Sequence, residues 1–224
     1  MKHLFLSPHP DDAEIGCGGL IHQLRAEGQE VAIAVCAGEG DLVMAHTGAT
    51  VSFSMRVEEQ RDAAKRLGDP EVIWLALAPA AHFDLVPQAD FICAFDELFP
   101  KFDVVYTPLP SYNADHRRVF ESVEAAFRPG RLDRVTLYAY EQPFGNRTPA
   151  FGKTYVELSH ADVIGKCAAI AAHHSQVGER IGSIYGPDAA TKSAFLRGME
   201  IGVIYAEVLY LMRATQLISR KKPK

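Results

Sequence analysis

Two short stretches of the sequence carry imidazoles and carboxylates at spacings that suit metal or acid–base chemistry. The first, SPHPDDAE at residues 7–14, places His9, Asp11 and Asp12 directly after a β-rich segment, and its two prolines stiffen the turn. An imidazole and a carboxylate three residues apart on such a loop can reach one ion, and zinc accepts both ligand types at about 2.0–2.2 Å. This stretch is therefore a candidate metal site.

The same stretch also suits a simpler explanation. Asp11 followed three residues later by Glu14 is similar to a capping box, in which an acidic side chain accepts hydrogen bonds from free N–H groups at a helix start. Taken alone, the pattern leaves a helix cap and a metal site both open. A cap does not explain, however, why His9 arrives together with two adjacent carboxylates.

The second stretch, PLPSYNADHR at residues 108–117, also follows a β-rich segment and precedes a helical one. Because ligands bind at the carboxyl ends of the strands in α/β sheets, both stretches are expected to face one crevice. His116 can supply a third metal ligand, and Asp115 beside it can orient a neighbouring group. Two strand ends with such residues favour a metal site over a cap.

Short β-rich segments alternate with amphipathic helical segments along the chain, which indicates βαβ crossovers. We therefore expect one α/β domain over residues 1–224, with a three-layer, Rossmann-like, mostly parallel sheet and C-terminal helical additions. The predicted strands are His3–Ser7, Val31–Cys36, Glu71–Leu75, Asp103–Thr107 and Arg134–Tyr140, with an edge strand at Val156–Leu158 after a loop at 143–153. The predicted helices are Gly18–Glu27, Arg56–Leu67, Gln88–Phe99, His116–Phe127, Ala161–Ala172 and Ala190–Arg213.

Three further patterns bear on packing and on the crevice. The glycines of Gly16–Gly19 favour close packing of a helix on the sheet over a phosphate loop, because position 21 is isoleucine and no Gly-Lys-Ser/Thr follows. The polar loop Gly38–Ser54 could line a pocket or simply be exposed. Met199 and Met212 at helical spacing predict an apolar stripe that packs in the core or against another subunit.

Charge and composition exclude several classes of partner. Lys and Arg number 23 against 28 Asp and Glu, a net charge of −5, which argues against nucleic acid or an anionic membrane as the main partner. No apolar run approaches the ~20 residues of a membrane span, and the N-terminal residues have no signal-peptide core. The four cysteines lack CxxC spacing, which predicts reduced core thiols. We expect a cytoplasmic protein.

The sequence resembles the LmbE/PIG-L family of zinc-dependent N-deacetylases. The family's His-Pro-Asp-Asp-x-Glu pattern and its Gly-containing helix stand here as HPDDAEIGCGGL, residues 9–20. The family's His-x-Asp-His element stands as Asn113–His116, and Arg56–Ala64 is similar to its Arg-x-x-Glu helix. The segments Ser175–Gln176 and Tyr205–Glu207 are also similar to many members, so the resemblance covers nearly the whole chain.

The resemblance implies a role for each matching residue. It implies zinc binding by His9, Asp12 and His116, catalytic roles for Asp11 as general base and for Asp115 and Asn113, and substrate binding by Arg56 and Glu14. Three protein ligands leave an open position for water, as catalytic zinc sites do. Two imidazoles favour zinc, although Fe2+ or Co2+ suits the same ligand set.

Asn113 departs from the family pattern, which has histidine at this position. Asparagine can donate a hydrogen bond to an oxyanion but cannot deliver a proton at neutral pH. The general acid must then be another group, either Asp11 returning its proton or one of His82, His173 and His174.

Three functions remain open. The first is removal of the N-acetyl group from a small-molecule amino sugar, which is free, nucleotide-linked or a glycoside, by a chain that could form a homo-oligomer. The second is an amidase with the same site that acts on a thiol conjugate or another N-acyl compound. The third is a non-catalytic nucleotide-binding α/β module in which the residues 9–14 only cap a helix.

Overall fold

The computed structural model describes residues 1–43, 48–142, 152–177 and 186–215. The strands are β1 (Lys2–Ser7), β2 (Glu30–Ala37), β3 (Leu42–Val43), β4 (Thr50–Val51), β5 (Glu71–Ala78), β6 (Val104–Pro108), β7 (Thr136–Tyr140), β8 (Lys153–Glu157) and β9 (Ala206–Arg213). The helices are α1 (Asp12–Ala26), α2 (Phe53–Arg66), α3 (Gln88–Leu98), α4 (Ala114–Ala126), α5 (His160–Ala172), α6 (His174–Val177) and α7 (Pro187–Ile201). Within these ranges no helix has the length and apolar character needed to cross a bilayer.

Seven strands form one twisted sheet in the order β5-β2-β1-β6-β7-β9-β8. The first five run parallel, and β9 is antiparallel to both of its neighbours, so the predicted mostly parallel α/β fold is confirmed. Helices α1, α2 and α7 each pack against α5, and α3 packs with α4 as a separate group. The central strand β1 is apolar on both faces, with Leu4, Phe5 and Leu6 fully buried, as a strand covered by two helical layers requires.

The C-terminal prediction of one helix over Ala190–Arg213 is wrong. Helix α7 ends at Ile201 because Gly202 adopts the left-handed conformation (φ 80°), the usual way for a helix to end. The following segment is β9, which inserts between β7 and β8 and gives both strands a hydrogen-bonding partner. Its continuous apolar run Val-Leu-Tyr-Leu after Gly202 is the strand signal that the sequence prediction missed.

The structure also differs from the predictions for the methionine stripe and for the start of the edge strand. Met199 is exposed on α7 and Met212 lies in β9, so the two do not share a helical stripe. The predicted edge strand exists as β8, but it begins at Lys153, and the remainder of the predicted loop, 143–151, lies outside the described residues. Cys17 and Cys36 are buried free thiols as predicted, whereas Cys93 is exposed.

Helix α1 begins at Asp12, earlier than predicted, and is interrupted at Cys17, whose φ of −133° is not helical. Glycines let the helix lie close to the sheet and to α5. A Cβ atom at Gly16 would collide with the ring of Tyr140, and one at Gly19 would collide with Leu158. Close packing is therefore the confirmed role of these glycines.

The interruption of α1 leaves backbone N–H groups without helical partners, and Glu207 of β9 accepts from two of them. Its carboxylate oxygens lie 2.9 Å from the backbone nitrogens of Gly19 and Leu20. The same carboxylate lies 2.6 Å from the ammonium of Lys166, and both side chains are almost completely buried. Glu207 thus acts as an internal N-cap that fixes α1 to the sheet and to α5.

Glu207→Ala should destabilise the protein strongly, because it leaves the Lys166 ammonium buried without its counter-charge. Breaking a buried ion pair from one side costs about 3–5 kcal/mol, so the free energy of unfolding in urea should fall by about that amount. The matched control is Asp62→Ala, which removes the exposed pair with Lys65 on α2 and should leave the unfolding curve almost unchanged. Equal, small effects of both substitutions would contradict the internal cap.

Candidate active site

The two predicted stretches meet at the carboxyl edge of the sheet. Strands β1 and β6 are parallel neighbours, so the turns that follow them emerge side by side. His9, Asp12 and His116 each place one ligand atom within 4.8 Å of the others. The sequence prediction that both strand ends contribute to one site is confirmed in its geometry.

Asp12 stands at the centre of this group. One of its carboxylate oxygens accepts a hydrogen bond from the backbone N–H of His9 at 2.8 Å, and that oxygen lies 3.3 Å from His9 Nδ1. The other oxygen lies 3.2 Å from His116 Nε2. Burial opposes ionisation of Asp12, yet the His116 and His9 imidazoles hold its pKa well below the ordinary value. Asp12 is therefore an ionised carboxylate between two imidazoles.

Asp115 orients His9 from the opposite side of the ring. Its Oδ2 lies 2.9 Å from His9 Nε2, and its Oδ1 accepts from the backbone N–H of Phe83 at 2.8 Å. Burial opposes ionisation of Asp115, but the His9 ring and the backbone N–H of Phe83 hold the pKa of this carboxyl below its usual value. A carboxylate on one ring nitrogen directs the other nitrogen toward a ligand position, as at many metal-binding histidines.

The carboxylates around His9 also change its own ionisation. Burial lowers the pKa of His9, but Asp115 and Asp12 outweigh that effect and raise the pKa to about 10. A cation that binds here must therefore displace a proton from His9.

The turn before α1 holds Asp11 in an unusual backbone conformation. Its φ is 125°, a region that residues with a Cβ rarely adopt, and such strain concentrates at functional sites. Asp11 makes no side-chain cap bond to α1, and Glu14 accepts instead from Gln60 at 2.5 Å. The capping-box alternative for residues 9–14 is wrong.

The Asp11 carboxylate is paired with a guanidinium from α2. Asp11 Oδ2 lies 3.2 Å from Arg56 Nη2, and the same nitrogen donates to the carbonyl of Pro10. Burial raises the pKa of Asp11, Arg56 lowers it in part, and Asp12 raises it further, so that the result lies above the ordinary value. Asp11 is thus a carboxylate whose affinity for a proton is increased by its surroundings.

The two ends of the Asn113 amide, its oxygen and its NH2 group, are in different positions to act. Its Oδ1 accepts from the backbone N–H of Asp115 at 2.8 Å and so caps the N-terminus of α4. With the oxygen held by the backbone, the amide NH2 is directed away from the helix. The side chain is exposed and lines a cavity at this edge of the sheet.

A cavity of about 240 Å³ opens over these residues. Its polar lining includes His9, Asp11, Arg56, Asn113, Asp115 and Gln176, and its apolar lining includes Leu42, Phe53, Ala80 and Ala81. Gly38, Gly40 and Leu42 belong to the loop that was predicted either to line a pocket or to be exposed, and they line the cavity.

Glu14 is fully buried and is not among the residues that line this cavity. Its predicted substrate-binding role therefore stays a prediction that the geometry does not support.

None of the three histidines considered as proton donors lines the cavity in the described part of the chain. His82 has an exposed side chain and a left-handed backbone, which directs its own N–H and that of Phe83 toward Asp115. His173 is fully buried, with Nε2 3.9 Å from Glu14. His174 is largely exposed, with Nδ1 3.2 Å from Glu59.

Sequence reasoning missed several residues that hold the site. Phe83 holds Asp115 through its backbone N–H and packs its ring 5.2 Å from the His9 ring, and neither contact has a signal in the sequence. Glu59 and Ser175 lie in segments that resemble the family, but the resemblance implies no role for either residue. Gln176, in the second of these segments, lines the cavity.

Comparison with known proteins relates this architecture to others. The chain is similar to the conserved protein TT1542 from Thermus thermophilus, with a TM-score of 0.73 and 26% identity over 100% of both chains. The chain is also similar to N,N'-diacetylchitobiose deacetylase from Pyrococcus horikoshii, with a TM-score of 0.70 and 26% identity over 94% of this chain and 83% of that one. The zinc-inhibited form of teicoplanin deacetylase Orf2 shares the fold, with a TM-score of 0.75 at 16% identity over 94% and 97% of the two chains.

A comparison of the sequence with curated proteins found no match. The sequence model of the PIG-L family, described as GlcNAc-PI de-N-acetylase, matches residues 4–127, which is more than half of the chain and contains both halves of the site. The chain belongs to the PIG-L family.

Proposed function

We propose that this chain is a metal-dependent hydrolase that removes the acetyl group from an N-acetylated amino sugar. The observation that carries the proposal is the group formed by His9, Asp12 and His116, which adjoins the Asp11–Arg56 pair and meets the cavity wall at His9. Membership of the PIG-L family and the likeness to a diacetylchitobiose deacetylase support the reaction class.

The residues present suit a catalytic zinc ion. Two imidazoles and one carboxylate are a known catalytic ligand set, and it leaves a further position open. His116 is buried and its Nε2 lies 3.2 Å from Asp12 Oδ1, so this nitrogen and that oxygen can reach one ion, while its Nδ1 has no hydrogen-bond partner among the described residues. When bound, the metal would lower the pKa of a water molecule and polarise the acyl carbonyl. Fe2+ and Co2+ fit the same donors.

Asp11 acts as the general base in this proposal. The attacking water forms a bond from its oxygen to the acyl carbon and gives its proton to the Asp11 carboxylate. The raised pKa of Asp11 suits this step, because a base works best when its pKa approaches the operating pH. As the C–N bond breaks, Asp11 returns the proton to the amine nitrogen, so that a free amine and acetic acid form; the acid then loses its remaining proton to solvent and leaves as acetate.

Asn113 stabilises the developing oxyanion. Its Oδ1 is held by the backbone of α4, so its NH2 group is the part available to a substrate oxygen. Arg56 holds Asp11 in place and presents its guanidinium at the cavity wall, where it contacts the substrate.

The metal site is tested first by binding. His9→Ala should lose stoichiometric zinc, and Asp115→Asn should bind zinc about 10–100-fold more weakly, because the substitution disturbs the group that orients His9. Competition against a chromophoric chelator measures both, with His160→Ala, an exposed histidine on α5, as control. A His9→Ala protein that keeps one zinc per chain would rule out the site assignment.

The reaction is tested by acetate release from zinc-loaded protein, across N-acetylhexosamines, their nucleotide-linked forms and their glycosides. Release should stop when a chelator removes the metal, and Asp11→Asn should lower kcat by about 100- to 10,000-fold. Zinc binding with release only from thiol conjugates or other N-acyl compounds would replace the sugar substrate with the alternative amidase. No zinc binding and no release from any compound would support the non-catalytic module instead.

Substitutions of Asn113 can distinguish its proposed role in oxyanion binding from its role as a helix cap. Asn113→Ser keeps a capping oxygen but shortens the side chain and lacks the amide donor, so kcat should fall by about 100- to 1,000-fold while the melting temperature stays near that of the wild type. Asn113→Ala removes both functions and should lower kcat and stability together. A serine variant with unchanged kcat would show that the amide donor takes no part in the reaction.

A further inference from the structure

Glu59 is a buried carboxylate that the chemistry above does not use. It lies on α2, one turn after Arg56, and its side chain is 1% exposed. We propose that Glu59 is a positioning residue that fixes Arg56, and through it Asp11, in the arrangement needed for catalysis. The inference rests on the proposed function, because it assigns Glu59 a part in the same reaction.

Both oxygens of Glu59 are occupied by donors from two separate segments. Oε1 accepts from the backbone N–H of Ser175 at 2.7 Å and lies 3.2 Å from His174 Nδ1. Oε2 accepts from the Ser175 hydroxyl at 2.7 Å and from Arg56 Nη1 at 3.2 Å. A buried carboxylate with this many partners has one orientation, so it is a fixed point between α2 and the segment around α6.

The Arg56 guanidinium connects Glu59 to Asp11. It is a rigid plane, so fixing one of its nitrogens largely determines where the others point. Glu59 holds Nη1, and Nη2 then faces Asp11 Oδ2 at 3.2 Å and the carbonyl of Pro10. The chain of contacts therefore runs from Glu59 through Arg56 to the carboxylate proposed as general base.

The same carboxylate also holds a second part of the cavity. Ser175, which donates twice to Glu59, directly precedes Gln176, a lining residue of the cavity. Glu59 thus connects two lining residues from different elements, Arg56 on α2 and Gln176 on α6. Neither connection brings Glu59 itself to the cavity wall, so it acts through these neighbours.

Glu59→Gln is the sharpest substitution, because glutamine keeps the size and can accept from Ser175 but loses the charge that holds Arg56. We expect kcat to fall by about 10- to 100-fold with a smaller change in KM, as misplacement of reacting groups does. In an Arg56→Ala background, Glu59→Gln should cause no further loss of kcat, since the residue through which it acts is already absent. Asp62→Asn, an exposed carboxyl on the same helix, should leave kcat unchanged.

An equal loss of kcat in both backgrounds would overturn the proposal, because it would show that Glu59 acts on the fold and not through Arg56. An unchanged kcat in Glu59→Gln would also overturn it. Zinc content and melting temperature of each variant identify losses that come from metal or from folding.

A second readout does not depend on deacetylation. In protein labelled with 15N-arginine, the guanidinium N–H signals of Arg56, assigned by their loss in Arg56→Lys, should exchange slowly with solvent. Exchange should be about tenfold or more faster in Glu59→Gln, since a charged hydrogen bond that fixes the group has been lost. Glu59→Asp, which keeps the charge but withdraws it by one methylene, should show the same acceleration.

Unchanged Arg56 exchange in both variants would overturn the positioning role, whatever the activity. Absence of acetate release from the wild type, with accelerated exchange in the variants, would instead contradict the proposed function and leave the Glu59–Arg56 contact supported.

Discussion

The carboxylate of Asp12 connects the two turns that make this site. It accepts from the backbone of the β1 turn and faces the His116 imidazole in the first turn of α4, so it spans the gap between two neighbouring parallel strands. Its low pKa follows from the two imidazoles beside it and keeps it charged. Everything proposed for the site depends on this contact, because it brings His9 and His116, which are far apart in the sequence, to one point.

Around that contact, the site is held by partners that take no part in the chemistry. Phe83 fixes Asp115 through its backbone, and Asp115 in turn orients His9. On the other side Glu59 fixes Arg56, which faces Asp11. The strained backbone of Asp11 persists because these surroundings determine its position. The proposed ligands lie in the β1 turn and in the first turns of α1 and α4, and support from neighbouring segments gives the site its rigidity.

The sequence allowed the α/β class and the meeting of residues 9–12 with Asn113–His116 to be predicted, because both depend on local patterns and on the geometry of parallel sheets. It failed at β9, where insertion between β7 and β8 determined the structure and Gly202 marked the helix end. It also failed at Phe83 and Glu59, whose roles depend on a backbone N–H and on long-range burial. The extent of the domain over 1–224 stays a prediction.

Anomalous diffraction at the zinc edge from crystals of zinc-loaded protein locates the bound cation directly. We expect one strong peak, about 2.0–2.2 Å from a nitrogen of His9, a nitrogen of His116 and an oxygen of Asp12. Asp115 should remain on the far side of the His9 ring. A peak at other residues, or none at saturating zinc, would contradict the central claim that the two strand ends together bind one catalytic cation.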